Sequence, residues 1–373
     1  MWLGDFRNYQ SVELALAEGL TVVTGPNGEG KTNLLEAVGY LATLSSFRGA
    51  PAEALVRQGC TTATVRGEGA RAGRELLVEA EIGMTGRGRT ALNRQPVRRS
   101  GDLADAFRTT VFSPDDLELV KGSPAGRRRY LDDTLVSLHP RNDVLRRDLD
   151  RVLRQRTALL RQAAGRGLSP EMADTLDVWD DRLVVAGEAL ASARRQLVAD
   201  MGPLISEAYT KLSGGAALAP ARPAAAVEAW YESPWAAAGL AASLEAVRAD
   251  EVRRGVSLVG PHRDDLTLSL GDMPARTHAS QGEQRCLALA LKLASHRLVG
   301  AQIGEPPILL LDDVFSELDA DRSSALLAYL RAAEPGGPTA GQTLLSSTAK
   351  GPPGAAPDLV VRIAAGEALV ASG

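Results

Sequence analysis

Cysteine, histidine and long apolar runs are what this sequence has least of. The two cysteines, Cys60 and Cys286, are far apart, which excludes a disulfide framework and a paired-cysteine metal site. Cys286 sits among Leu and Ala and reads as a buried thiol. The four histidines, His139, His262, His278 and His296, follow no zinc-ligand spacing. No apolar run approaches the roughly 20 residues that span a bilayer. The first residues, MWLGDFRNYQ, carry Asp5 and Arg7 and no apolar signal core. The expectation is a cytoplasmic protein with no membrane partner. A surplus of positive charge is also missing: the net charge is −4, which argues against a uniformly basic coat for DNA.

What is present is a globular composition, 45% hydrophobic and 24% charged. The 373 residues allow two or three compact units, or one large domain with an insertion. Charge is uneven. From Lys121 to Arg166 there are twelve Lys and Arg against five Asp, a local balance of +7. Almost all of it is Arg, which suits bidentate contact with phosphate. The candidates are Arg127, Arg128, Arg129, Arg146, Arg147 and Arg151, with Arg94, Arg98 and Arg99 on a separate hairpin stretch. A solvated helical face is the competing reading of the same run.

The chain begins as strand, loop and helix. Leu20–Thr24 is a β-branched run, and residues 33–41 have helical spacing. Residues 60–100 alternate β-prone runs with Gly-rich turns, as antiparallel hairpins do. From Leu145 the apolar residues step by four and three through Leu149 and Val152 to Leu159, with Arg156 interrupting the seam. A second series runs from Leu176 to Leu204. These predict two helices in an antiparallel hairpin. Residues 214–236, rich in Ala and Pro, read as a loop or irregular hairpin, and 240–254 as a third helix. Residues 119–254 are therefore expected to be an inserted helical arm, and 1–118 with 255–373 a discontinuous head. After the arm come a strand ending at Leu270, a helix from Ser280, a buried strand at 308–311 and a strand at 343–345. Buried strands alternating with helices predict an α/β fold with a mostly parallel sheet.

Gly25-Pro26-Asn27-Gly28-Glu29-Gly30-Lys31-Thr32 matches the phosphate-binding loop pattern in full, with a strand leading in and a helix leading out. Backbone N–H groups of such a turn cradle phosphate. Lys31 is the cation for the terminal phosphates, and Thr32 the hydroxyl for Mg²⁺. The buried strand ends in Asp312, a second Mg²⁺ residue, and Asp313, a candidate to orient the attacking water. Ser280 and Glu283 have the spacing of a capping box. Gly282 inside that box would let a ligand approach the backbone, beside the Ser280 hydroxyl.

The order of phosphate loop, insertion, SQGEQR, LLLDD and SELD resembles the ABC-type ATPase heads of the SMC-like class. The resemblance narrows to the RecF family on Phe6-Arg7-Asn8-Tyr9, Ser46-Phe47-Arg48, FSPDDLELVKGSP from Phe112, Arg127-Arg128-Arg129, GPHRDDL from Gly260, SQGEQR and LLLDDVFSELD. It implies a homodimer closed over ATP, with Lys31 of one chain and Ser280 of its partner on each γ-phosphate. It also implies slow, DNA-stimulated ATP hydrolysis in recombinational gap repair. The expected partners are double-stranded and gapped DNA, the mediators RecO and RecR, and through them RecA. A transporter ATPase subunit and a clamp without turnover are the alternatives. Asp313 stands where the class carries Glu, no Gln lies between Phe112 and Gly122, and Ser346, Ser347 and Thr348 occupy the place of a switch His. Arg7 and Arg48 could meet nucleotide phosphates or serve the surface or core edge.

Overall fold

The computed structural model describes residues 1–71, 73–85, 88–97, 103, 106–213, 226–331, 341–348 and 351–371. Two units result, each made of separate stretches of chain. The first comprises Met1–Leu117, Leu204–Ala225 and Ser280–Gly373; the second comprises Glu118–Pro203 and Ala226–Ala279.

In the first unit, Leu20–Thr24 forms the interior of a six-stranded sheet because its Val22 and Val23 can be buried on opposite faces. The strand order is Glu367–Val370, Leu359–Ala364, Leu20–Thr24, Thr343–Ser347, Ile308–Leu311 and Thr109–Phe112. All neighbours are parallel except the edge strand Glu367–Val370. A second, antiparallel sheet runs Tyr9–Glu13, Trp2–Phe6, Thr62–Arg71, Arg74–Gly83, Arg89–Leu92 and Gln95–Pro96. The helix Lys31–Thr43 joins the layers. Its Leu34, Leu35 and Val38 share one core with Leu3, Phe6 and Val65 of the antiparallel sheet and Leu310, Leu344 and Val361 of the parallel sheet. Burying each such Leu is worth about 1.5–3 kcal/mol.

The helix Gln281–Ile303 begins at the Ser280 cap and ends at Gly304, whose left-handed conformation closes it. Cys286 is buried within it, while Cys60 is half-buried. The last turns of the helix Pro170–Leu212 also belong to this unit. There Glu207 pairs with Arg297 at 3.1 Å, and Lys211 lies over the Tyr329 ring. The unit boundary falls at Pro203, inside that helix, where proline removes a backbone donor.

The second unit holds the helices Pro124–Leu138, Asp143–Ala163 and Leu240–Arg254, most of Pro170–Leu212, and a three-stranded sheet. The interruption at Arg156 is an ionic hub. Its guanidinium is fully buried and donates to Asp180 at 2.5 Å, Glu251 at 2.6 Å and Ser257 at 2.8 Å, so it ties three helical segments together. Arg194 binds both oxygens of Asp132 at 2.8 Å and the Pro261 carbonyl at 2.9 Å. In the adjoining turn, His262 Nε2 meets the Ser257 carbonyl at 3.2 Å. Its Nδ1 is buried with no hydrogen-bond partner among the described residues.

Two expectations need correction here. The second unit does not end at 254 but continues to Ala279. The reason is pairing: Val227–Glu232, in the stretch read as a loop or irregular hairpin, is a regular strand antiparallel to Asp265–Leu270. Residues 214–225 of the expected loop lie outside the described residues. Among the described residues, no helix is long and apolar enough to cross a membrane.

Candidate nucleotide site

The strand Leu20–Thr24 delivers the glycine loop to the carboxyl edge of the parallel sheet, and the helix starting at Lys31 follows directly. Gly30 is the cap of that helix, with φ of 117° and no side-chain cap bond, so no cap side chain occupies the first-turn N–H groups that an anion would use. A side chain at Gly30 would be strained. Its Cβ would also come within 2.7–2.9 Å of Asn8 and the Tyr9 hydroxyl.

Those neighbours are the finding that sequence reasoning missed. Asn8 Nδ2 donates to the Glu29 carbonyl at 2.7 Å, Tyr9 Oη donates to the Gly30 carbonyl at 2.8 Å, and Asn33 donates to Asn8 at 2.8 Å. The Asn8-Tyr9 pair thus braces the loop from outside. Its only sequence signal was its place in the Phe6–Tyr9 motif. Arg7 lies at the core edge. It grips both oxygens of Glu36 at 2.8 Å and the Ala54 carbonyl at 2.9 Å. Arg48 is exposed near Asn33 and adds a small favourable charge to Asp312.

Lys31 is 7% exposed. Its Nζ donates to the Gly25 and Pro26 carbonyls, both at 2.8 Å, and to Asn27 Oδ1 at 3.3 Å. Burial lowers its pKa, against the opposing charges of Asp313, Asp312 and Glu29. Thr32 Oγ1 donates to Asp312 Oδ1 at 2.8 Å, joining the loop to the acidic strand end. Ser346 Oγ donates to the same oxygen at 2.8 Å and accepts the Asp313 N–H at 2.9 Å. Burial pushes the Asp312 carboxyl up, the Thr32 and Ser346 hydroxyls oppose that, and the Asp313 charge adds to it. Asp313 is held with φ of 50°, left-handed for a residue with a side chain. The donor set fits a Mg²⁺ ion. The Thr32 proton is committed to Asp312, so the hydroxyl offers lone pairs, and hard oxygens are what this ion takes.

Ser280 and Glu283 form the capping box the spacing predicts, with Ser280 N to Glu283 at 2.7 Å and Glu283 N to Ser280 Oγ at 3.3 Å. Ser280 is exposed. A Cβ at Gly282 would lie 2.5 Å from Nη1 of Arg322, the far end of a flexible side chain. Arg322 in turn pairs with Asp319 at 3.3 Å, and Arg285 reaches Glu317 at 3.0 Å. The signature helix is therefore clasped to the SELD segment of its own chain. No hydrogen bond or ion pair among the described residues joins Ser280 or Gly282 to the phosphate loop.

Of the arginines expected on a DNA-facing surface, Arg127 is corrected to a structural residue. It is 5% exposed and binds both oxygens of Asp265 at 2.7 Å and the Gly122 carbonyl at 2.9 Å. Arg128 is half-buried and donates to the Asp264 carbonyl at 2.7 Å; burial, then the Arg194 charge, lower its pKa. Arg129, Arg147 and Arg151 are exposed and Arg146 is partly so, with Asp143 and Asp148 beside the last three. Arg94 is exposed in a turn. Arg98 and Arg99 lie outside the described residues.

A phosphate loop at the edge of a parallel sheet, an acidic strand end, and a capped signature helix define the class: an ABC-type ATPase head of the SMC-like form. The RecF/RecN/SMC N terminal domain family matches residues 1–350. The chain is 47% identical over 350 residues to the DNA replication and repair protein RecF of Kineococcus radiotolerans, covering 89% of each. It is 45% identical over 359 residues to the RecF of Beutenbergia cavernae, covering 89% of this chain and 90% of that one. Among solved structures it resembles the recombination mediator protein RecF-ATPrS of the RecFOR pathway. There the TM-score is 0.86 at 26% identity, covering 100% of this chain and 97% of the other. The chain belongs to the RecF family of DNA replication and repair proteins.

Proposed function

We propose that this protein is an ATP-dependent DNA-binding protein of recombinational gap repair, acting in the cytoplasm as a homodimer that closes over ATP. The observation that carries the reading is the linked set of Lys31, Thr32, Asp312, Asp313 and Ser346 at one sheet edge. The loop N–H groups and Lys31 bind the phosphates. Thr32 and Asp312 would hold Mg²⁺, which neutralises charge on the phosphate oxygens when bound. Asp313 orients the attacking water and accepts its proton. Ser280 of the partner subunit completes each site, with Gly282 letting the ligand approach the backbone of the signature turn. Turnover is slow and switch-like, and loss of the γ-phosphate opens the dimer.

Duplex DNA beside single-strand gaps is bound mainly through its phosphates by Arg128, Arg129, Arg146, Arg147 and Arg151, so affinity falls steeply with salt. Work with RecO and RecR is supported by the RecFOR pathway named for the similar solved structure, and RecA loading is its proposed outcome.

The test is ATP turnover by the purified chain at physiological salt with no DNA, intact duplex, single strand and gapped duplex, with Lys31→Met as the inactive control. Stimulation by duplex or gapped DNA is expected. Turnover indifferent to all DNA, together with no DNA binding, would overturn the repair reading and favour a transporter-type subunit. Binding without any turnover would favour a clamp.

A further inference from the structure

Ser346, one residue before the end of the strand Thr343–Ser347, touches both acidic residues of the site. The register explains why. Leu311 pairs with Leu345 in parallel strands, so the next residue on each, Asp312 and Ser346, come side by side. Ser346 is 1% exposed. Its one proton goes to Asp312 Oδ1 and its lone pair takes the Asp313 N–H. A hydroxyl so engaged and so buried is badly placed to sense a phosphate directly. It is well placed to set the positions of two carboxylates at once.

We infer that Ser346 is the positioning residue of the ATPase site: its hydroxyl clamps Asp312 and holds Asp313 in the left-handed backbone that aims the water-orienting carboxylate. The inference rests on the ATPase reading above. Two features make the clamp specific. Thr32 and Ser346 both donate to Oδ1, so the two hydroxyls fix the carboxylate plane from the loop side and the sheet side. Asp313 has a side chain yet keeps φ of 50°, a conformation that needs outside support. The Ser346 oxygen supplies it through the backbone N–H. Ser316 Oγ adds a second hold on the Asp313 carbonyl at 2.8 Å.

The test compares Ser346→Ala and Ser346→Thr with the natural chain, using three readouts. Ser346→Ala should lower kcat about 10–100-fold, the usual range for losing such a support, with KM for ATP little changed. Binding of a fluorescent ATP analogue without Mg²⁺ should stay near normal, which also shows the variant is folded. Amide hydrogen exchange over residues 312–316 should speed up in the nucleotide-free protein. Ser346→Thr keeps the hydroxyl and should restore all three. If Ser346→Ala turns over ATP as the natural chain does, or if exchange at 312–316 is unchanged, the clamp is refuted while the ATPase reading stands. If it loses nucleotide binding as Lys31→Met does, Ser346 acts on binding and the clamp is again refuted. If the natural chain itself shows no turnover, the ATPase reading fails, and the clamp with it.

Discussion

His262 shows how one buried ring can set the acid limit of a unit. Burial pushes its pKa down from 6.5 to about 4, against the Ser257 carbonyl, and the charges of Arg263, Arg128 and Arg156 add to the depression. Above pH 6.5 the ring is neutral folded or unfolded. As pH falls toward 4 only the unfolded chain gains the proton, so stability is lost across that window. The expected loss from this group by pH 5 is about 1–2 kcal/mol. Urea unfolding of the natural chain and His262→Gln at pH 7 and pH 5 measures it, and the variant should lose less. Equal losses would remove the ring from the account. At the same scale, Gly282 marks a limit of sequence reading. The capping box around it was legible because its partners are three residues apart. The approach of Arg322 was not, because that guanidinium arrives from a different helix.

Among elements, the helices of the second unit are joined by charge as much as by apolar contact. The apolar stripes of Leu149, Leu176, Leu183 and Leu190 are buried as their spacing predicts. Arg156, which breaks the stripe, is the buried hub. Glu251 is fully buried beside it and also accepts the Leu258 N–H at 2.7 Å. Arg156→Met leaves that carboxylate without its cation, and the expected cost is about 3–5 kcal/mol. Adding Glu251→Gln should recover part of it, as a shift in urea midpoint would report. The strand, glycine loop and helix at the start of the chain were legible for a local reason: their signals are contiguous. The end of the second unit was not, since it depends on Val227–Glu232 pairing with a distant strand and on composition that reads as loop. The role of Arg127 was hidden likewise. A run of arginines shows charge, but not that Asp265, 138 positions on, accepts one of them.

For the whole molecule, the exposed Ser280 turn and the phosphate loop divide the proposed work between two copies of the chain. Ser280→Arg adds bulk and charge where the partner's nucleotide would meet the turn, while leaving the loop's own contacts intact. Nucleotide binding by the single chain should stay within roughly threefold of normal, under 1 kcal/mol. The ATP-dependent dimer should be lost, as light scattering with and without ATP would show. A normal dimer in that variant would end the two-copy arrangement of the site.

The strand that carries the phosphate loop has both sheet neighbours at the far end of the chain. Leu20–Thr24 pairs with Thr343–Ser347 and Leu359–Ala364, and Leu20 N–H is capped by Asp358, 338 positions later. On a ribosome adding roughly 5–20 residues per second, that gap is tens of seconds. Until Thr343–Ser347 is made the loop's strand lacks both of its sheet neighbours, and for most of that time neither Asp312 nor Ser346 exists. A nascent or prematurely ended chain therefore cannot assemble the site. Emergence of these two late strands is itself the step that arms the switch.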